Sequence, residues 1–214
     1  METVLRHSTK SAILLMIFAV AGTALLAATY FATRDIIAES ERQAKLALIG
    51  QILPKSLYDN DILKEVRELP PAAELGNKDA TPLFVATLGG KPSAAVFEAV
   101  APDGYAGKIK LLVAVKADGE LSGVRVVDHH ETPGLGDYIV IAKDKWITQF
   151  DGVSLAKYTA QEWKVKKDGG KFEYRTGATV TPRAIVKAVH KSLQYVEGNR
   201  TRFFAEAGGK EEAK

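Results

Sequence analysis

An apolar run near the N-terminus constrains the fold of this chain more than any other feature of its sequence. No charged residue lies between Lys10 and Arg34, and the segment 11–33 (SAILLMIFAVAGTALLAATYFAT) is apolar almost throughout. A helix needs about 20 such residues to cross the hydrocarbon core of a bilayer. The sequence therefore predicts a transmembrane helix over 11–33 and a folded domain that follows it.

A cleavable signal peptide is the alternative interpretation of this run, because the small residues Ala27-Ala28-Thr29 are compatible with a cleavage site. The apolar part of a signal peptide is typically about 7–15 residues long, so the length favours an uncleaved anchor. Basic residues are nearly balanced across the run and give a weak orientation signal. A short N-terminus and a single span favour residues 1–10 in the cytoplasm. In a bacterium the protein is then a single-pass inner-membrane protein with a periplasmic domain.

The composition excludes several classes of function. The chain has no cysteine, so disulfides, zinc–thiolate sites, iron–sulfur ligation and thiol catalysis are ruled out. The 29 basic and 26 acidic residues give a net charge of +3, which argues against a nucleic-acid-binding protein. The adjacent His129 and His130 would point to opposite faces of a strand, and no third ligand has suitable spacing. We therefore expect no metal site.

The periodicity of the remaining sequence predicts an α+β domain with an antiparallel sheet and flanking helices. We expect a helical stalk and linker over 34–80, including a helix from Asp35 to Leu53 that Pro54 ends. We assign the domain to 81–200 and a polar tail to 201–214. Within the domain, we expect an apolar strand at 108–116, a short helical segment at 138–150 and an amphipathic helix at 182–196. Turns are predicted at Gly89-Gly90, Pro102-Asp103-Gly104, Asp118-Gly119 and Asp168-Gly169-Gly170, the last between two strands of a third hairpin.

Thr176-Gly177-Ala178-Thr179 is the most informative motif of the domain. It places a threonine hydroxyl at the end of a Gly-Ala turn, directly before a predicted helix start with Thr181 as N-cap and Pro182 as the first helical residue. A helix N-terminus offers unpaired N–H groups and partial positive charge, which suit a phosphate. The motif is therefore at least as compatible with a phosphoryl group joined to the threonine as with catalysis.

The loop 131–136 (ETPGLG) is a second motif. Its two glycines and its proline allow the backbone to approach a flat or bulky group. On the local pattern alone, an ordinary connection between a strand and a helix is the simpler interpretation.

Three stretches together resemble the G subunit of the Rnf electron-transport complex. They are HHETPGLGD at 129–137, VKKDGG at 165–170 and TGATVTPRAIVKAV at 176–189, and the C subunit of the sodium-pumping NADH:quinone reductase is more distantly similar. Residues 176–179 resemble the flavinylation motif of FMN-binding domains, in which the last threonine carries FMN through a phosphoester. One departure is Glu173, where the flavinylation pattern usually has an aspartate six residues before the acceptor.

The resemblance implies a membrane-anchored subunit that relays electrons between ferredoxin and NADH within an ion-translocating complex. A separate flavin transferase would attach FMN to Thr179, so we expect no catalytic residue in this chain. The partners would be the other membrane subunits, against which the anchor could pack through Ala19, Ala21, Gly22 and Ala24. Two alternatives remain at this point: a cofactor-free membrane-tethered binding or scaffolding module, and a flavin enzyme acting on a small external substrate.

The resemblance also suggests a cofactor site. We expect the loop 131–136 to form one wall for the flavin ring, with Thr132 and Leu135 nearest to it, and Arg183 or Lys164 to approach the phosphate. Thr181 is the second choice of acceptor, and Trp146 and Trp163 are expected to be core or interface residues rather than to stack on the flavin. The predicted cofactor-binding residues are Thr176, Gly177, Ala178, Thr179, Thr181, Glu131, Thr132, Gly134, Leu135 and Lys164.

Overall fold

The computed structural model describes residues 2–64 and 66–205. Helix α1 is Glu2–Gly50, α2 is Val180–Gly198 and α3 is Arg200–Phe204. The strands are β1 (Val66–Leu69), β2 (Thr81–Leu88), β3 (Lys91–Gly104), β4 (Gly107–Lys116) and β5 (Leu121–Asp128). Short 3-10 helices cover Lys55–Leu57, Asp137–Ile139, Lys145–Phe150 and Lys166–Asp168.

The chain divides into two compact units, residues 1–45 and residues from Leu46 onward. The first unit is helical, and the predicted span 11–33 lies inside α1. Its apolar side chains are exposed, for example Leu26 at 74% and Leu15 at 69%. By length and composition alone, this helix is able to cross a membrane.

The second unit contains one antiparallel sheet in the order β1-β2-β3-β4-β5. Alternating side chains give the sheet two buried faces. One face carries the paired row Leu83–Phe97–Val113 and packs against α2. The opposite face carries Phe84 and its partner Val96 in one cluster with residues that follow α1, such as Ile52. The predicted fold class, an α+β domain with an antiparallel sheet and flanking helices, is confirmed.

Several local predictions are confirmed. Gly89 and Gly90, both with positive φ (59° and 77°), connect β2 to β3, and residues 118 and 119 lie in the connection between β4 and β5. The expected short helical segment is present as two 3-10 helices. Trp146 and Trp163 are 8% and 4% exposed and belong to the core.

The predicted limits of the domain need correction at both ends. The segment 34–80 is not only a stalk and linker, because β1 and the buried Leu69 and Leu75 extend the domain, whose compact unit begins at Leu46. At the other end, residues 201–204 belong to α3 rather than to a polar tail. Phe203 is fully buried, with its ring centroid 5.2 Å from that of Phe97. The rest of the predicted tail, 206–214, lies outside the described residues.

Two predicted turns differ from the structure. Gly104 pairs with Gly107, so Tyr105 and Ala106 form the connection between β3 and β4, and residues 102–104 belong to β3 itself. The third hairpin is replaced by a 3-10 turn and a single parallel bridge between Val165 and Phe172. This loop is tight: a Cβ on Gly170 would lie 2.0 Å from the carbonyl oxygen of Lys164.

Candidate functional site

A buried tyrosine, Tyr138, is hydrogen-bonded to the backbone of the turn that contains residues 176–179. The hydroxyl of Tyr138 accepts a hydrogen bond from the Arg175 N–H and donates one to the Ala178 carbonyl oxygen, each at 3.4 Å. Burial raises the pKa of Tyr138, which keeps the phenol protonated as a donor. Gly177 has φ of 88°, a conformation that favours glycine, and a Cβ added there would meet no atom within 4 Å. The turn is thus fixed on the side that contacts Tyr138 and open to solvent at Gly177.

The start of α2 is two residues earlier than the sequence predicts. The N-cap is Thr179, not Thr181, and in this described segment it makes no side-chain capping hydrogen bond. Pro182 is therefore the third helical residue, where its missing N–H still removes no bond inside the helix. The free amides of the first turn follow directly after Thr179. The hydroxyl of Thr179 consequently lies at the positive end of the helix, with its side chain half-exposed.

Thr181 has a different environment. Its side chain is 1% exposed, and its Oγ1 donates a 2.5 Å hydrogen bond to Oε2 of Glu131. The prediction of Thr181 as a helix cap is therefore wrong, because its hydroxyl is bound to a carboxylate from a distant loop. A threonine in this state has no free, accessible hydroxyl.

Both carboxylate oxygens of Glu131 are occupied. Oε2 accepts the bond from Thr181, while Oε1 accepts a 3.1 Å bond from the N–H of Ala106 in the connection between β3 and β4. We call Glu131, Thr181 and Ala106 the Glu131 clamp. Glu131 is 4% exposed, and no cation forms an ion pair with it in the described part of the chain. The clamp ties three segments together: the loop 131–136, the start of α2 and the tip of a hairpin.

Two glycines leave space for the carboxylate of Glu131. A Cβ on Gly136 would lie 2.8 Å from Glu131 Oε2 and 3.2 Å from Thr181 Oγ1. A Cβ on Gly104 would lie 2.9 Å from Glu131 Oε1. A larger residue at position 136 would therefore displace the carboxylate, and one at position 104 would in addition meet the Gly107 carbonyl oxygen at 2.2 Å.

The loop 131–136 is ordered by its own hydrogen bonds. The N–H groups of Leu135 and Gly136 donate to the Thr132 carbonyl oxygen, and the Gly134 N–H donates to Asp137 Oδ1. Gly134 has φ of 77°, which accounts for a glycine at this position. Thr132 is exposed, and Leu135 is 55% exposed despite being a large apolar residue. The loop therefore presents an apolar side chain to solvent from a fixed backbone.

The basic residues expected near a phosphate are engaged elsewhere. Lys164 Nζ donates to Gln161 Oε1 at 3.0 Å. Arg183 forms two 2.6 Å hydrogen bonds with Asp168, and this contact lowers the pKa of the Asp168 carboxyl. The start of α2 places a partial positive charge next to Thr179. The assignment of Lys164 to the cofactor site stays a prediction.

Glu173, six residues before Thr179, is exposed and forms an ion pair with Lys166. Glu173 and Arg175 line a pocket of about 420 Å³. Arg175 forms an ion pair with Asp144, which lines the same pocket. A second pocket, of about 330 Å³, lies at the other end of α2 and includes Arg200. None of the three threonines at 176, 179 and 181 lines either of these two pockets.

Sequence reasoning missed two contributors to the site. Tyr138 lay in a segment assigned only as short and helical, and its contact with the turn spans about forty residues of sequence. Ala106 was missed because the hairpin was placed at 102–104. The pair Gly104 and Gly107 around two residues was the available signal for this connection.

Comparison with known proteins gives consistent results. The family model of the FMN-binding domain matches residues 104–194, and that of the RnfG N-terminal region matches residues 1–52. The chain is 48% identical to the G subunit of the ion-translocating oxidoreductase complex of Pseudomonas aeruginosa, over 96% of this chain and 97% of that protein. It is 44% identical to the corresponding protein of Vibrio atlanticus, with 92% and 94% covered, and 45% identical to that of Aliivibrio fischeri, with 87% and 89% covered.

Proposed function

Because this chain belongs to the family of G subunits of ion-translocating oxidoreductase complexes, we propose that it is a membrane-anchored flavoprotein subunit whose FMN is esterified to Thr179. Its FMN-binding domain makes it an electron-transfer subunit, and α1 provides a helix suited to anchoring. The bound FMN supplies the electron transfer. The protein supplies the point of attachment, the orientation and the surrounding charge.

We assign Thr179 as the FMN acceptor because the three candidate threonines differ in exposure and in hydrogen bonding. Thr181 is buried and its hydroxyl is bound to Glu131, so it cannot serve as acceptor without breaking the clamp. Thr176 is exposed but precedes the glycine turn and is not adjacent in sequence to the first residue of α2. Thr179 is half-exposed and directly precedes the free amides of α2, which favour the negative charge of a phosphodiester.

The surroundings of Thr179 fit a group that another protein attaches. The Gly177 side of the turn is open, which leaves room for a phosphate and for a transferase. Among the described residues, no side chain is hydrogen-bonded to the Thr179 hydroxyl as a general base would be. We therefore assign the attachment to a separate flavin transferase and no catalytic residue to this chain.

The location and partners follow from the same proposal. The proposal places residues 1–10 in the cytoplasm and the FMN domain in the periplasm, with α1 as the anchor in the bacterial inner membrane. The other membrane subunits of the complex would exchange electrons with the bound FMN, in a relay between ferredoxin and NAD. A covalent bond makes sense outside the cytosol, where lost FMN could not readily be replaced.

A denaturing gel tests the attachment. The full chain is produced with a flavin transferase, denatured and viewed under ultraviolet light, and a fluorescent band is expected near 23.1 kDa. The band should disappear in Thr179→Ala and remain in the matched variant Thr181→Val. Mass spectrometry of the peptide that contains residue 179 should show the FMN adduct. A dark wild-type band would contradict the proposal and favour a cofactor-free scaffold, and a fluorescent Thr179→Ala band would refute the assignment of the acceptor.

A further inference from the structure

Three exposed apolar side chains belong to residues that are next in sequence to residues in or against the Glu131 clamp. Tyr105 is 71% exposed, Leu135 is 55% exposed and Val180 is 43% exposed. Each is the chain neighbour of a residue in or against the clamp, namely Ala106, Gly136 and Thr181. The described domain has only three other exposed large apolar residues, and these are dispersed: Val66 in β1, Leu88 at the end of β2 and Val127 in β5.

Contacts at the clamp bring together the three segments that carry these side chains. The clamp brings the N–H of Ala106 and the hydroxyl of Thr181 to the two oxygens of one carboxylate. A second contact holds the hairpin against α2, because Lys187 Nζ donates to Asp103 Oδ2 at 2.6 Å. The tip of the hairpin is therefore fixed beside the first turns of α2, where Thr179 lies.

Tyr105 is an unusual residue for its position. Two-residue connections between strands often contain glycine, asparagine or aspartate. The backbone does not demand such a residue at position 105, because every described residue with a positive φ is a glycine. Here a tyrosine occupies the connection, and it is the only exposed aromatic side chain of the described domain. Its ring makes no aromatic contact among the ring pairs found in the described residues. Local folding therefore does not explain this tyrosine.

We infer that Tyr105 is a flavin-contacting residue, which with Leu135 and Val180 forms the surface on which the isoalloxazine ring of FMN lies. The inference rests on the proposed attachment to Thr179, whose chain neighbour is Val180. A planar apolar ring tethered there would cover exposed apolar area, and an aromatic side chain favours stacking with it. Glu131 is then a positioning residue: it is buried beneath this surface and holds the three segments in place without facing the ring.

Flavin fluorescence tests the contact. A phenol stacked on a flavin quenches the flavin emission, because the excited flavin takes an electron from the phenol and returns it without emitting light. The full chain is produced with a flavin transferase as wild type, Tyr105→Ala, Tyr105→Phe and Leu88→Ala. Leu88 is a matched control because it is also an exposed apolar residue. It lies in β2 and pairs with Lys91 at the start of β3, whereas Tyr105 follows the end of β3. Emission per covalently bound FMN is measured in the folded and the denatured state.

We expect the emission of the folded protein to rise by about twofold or more in Tyr105→Ala and Tyr105→Phe, because neither side chain is a phenol. Leu88→Ala should match the wild type, and the four denatured proteins should be equal. Unchanged emission in Tyr105→Ala, with FMN on Thr179, would refute the contact alone. The same result with weakened recovery of other membrane subunits would instead assign Tyr105 to a protein interface. Wild-type protein without the adduct would refute the proposed function, and with it this inference.

Discussion

Two threonines separated by one residue occupy opposite environments in this protein. The turn 176–179 is open: its glycine side faces free space, and the Thr179 side chain is half-exposed. The region around Thr181 is closed: the residue is 1% exposed, its hydroxyl is bound to Glu131, and Gly136 packs closely against both. The open region offers a group for modification, and the closed region determines where that group lies.

The difference does not arise from the two residues themselves. Both are threonines at a helix start, and either would serve as an N-cap by local rules. What separates them is a carboxylate fifty positions away in sequence, delivered by a loop at the end of β5. Small changes of shape or bonding in the closed region should therefore lower the free energy of unfolding. In the open region, similar changes should affect the attachment of FMN more than the free energy of unfolding.

The largest effect on stability is expected from Gly136→Ala. The added methyl group would lie 2.8 Å from Glu131 Oε2 and 3.0 Å from Glu131 Cβ, and this side chain cannot move away because both of its oxygens are bound. We expect a loss of about 3 kcal/mol in the free energy of unfolding. Urea denaturation of the full chain in detergent, followed by tryptophan fluorescence, measures it. Gly134→Ala is the comparison, because Gly134 lies in the same loop and a Cβ there would meet no atom within 4 Å. A smaller loss of unfolding free energy in Gly136→Ala than in Gly134→Ala would show that the region around Thr181 is not tightly packed.

The next effect is expected from Thr181→Val, which keeps the side-chain shape but removes the hydroxyl. Oε2 of the buried Glu131 would lose its donor, and an unsatisfied buried acceptor costs about 2 kcal/mol. The matched variant Thr179→Val removes a hydroxyl without a capping bond and should change the free energy by less than about 0.5 kcal/mol. Equal urea midpoints for the two variants would remove the distinction between the regions.

The sequence was sufficient for the parts of the structure that depend on local pattern. The continuous apolar run at 108–116 predicted β4, paired glycines predicted the Gly89-Gly90 hairpin, and the uncharged run predicted the long apolar helix. The prediction failed where a distant partner decides. Thr181 satisfies every local rule for an N-cap, yet it is a helical residue whose hydroxyl is bound to Glu131. Phe203 has polar neighbours in the sequence, which gave no indication that its ring packs against Phe97.

The site was predicted in the same uneven way. The motif 176–179 was found because turn chemistry is local, and a resemblance to known proteins identified its meaning. Glu131 was predicted as a cofactor-binding residue, and that assignment stays a prediction. The structure adds that its buried carboxylate is bound on both oxygens by protein groups. Its partner Ala106 contributes only a backbone N–H, which no side-chain pattern can reveal.

A smaller effect is expected from Gly177→Ala in the open region. No atom lies within 4 Å of the added methyl group, so its cost comes only from the positive φ of 88°. Such a conformation costs a residue with a Cβ about 1 kcal/mol. We expect this loss in urea denaturation, together with reduced attachment of FMN, because the acceptor turn would shift. A loss as large as that of Gly136→Ala would show that the turn is packed rather than open.

The smallest effect on stability is expected from Asp168→Asn, which breaks the exposed pair with Arg183 on the surface of α2. Exposed ion pairs contribute little, because water and salt screen them. The pKa of Asp168 is lowered by its hydrogen bonds with Arg183, so the folded state favours the charged form. The contribution of the pair is therefore present above the ordinary pKa of aspartate and is lost as the pH falls through the lowered value. The urea midpoints of the wild type and Asp168→Asn should differ slightly at pH 7 and coincide only when the pH is below the lowered pKa of the folded state. A difference that persists in acid would mean that Asp168 supports the start of α2 by packing, and that the closed region extends further than the Glu131 clamp.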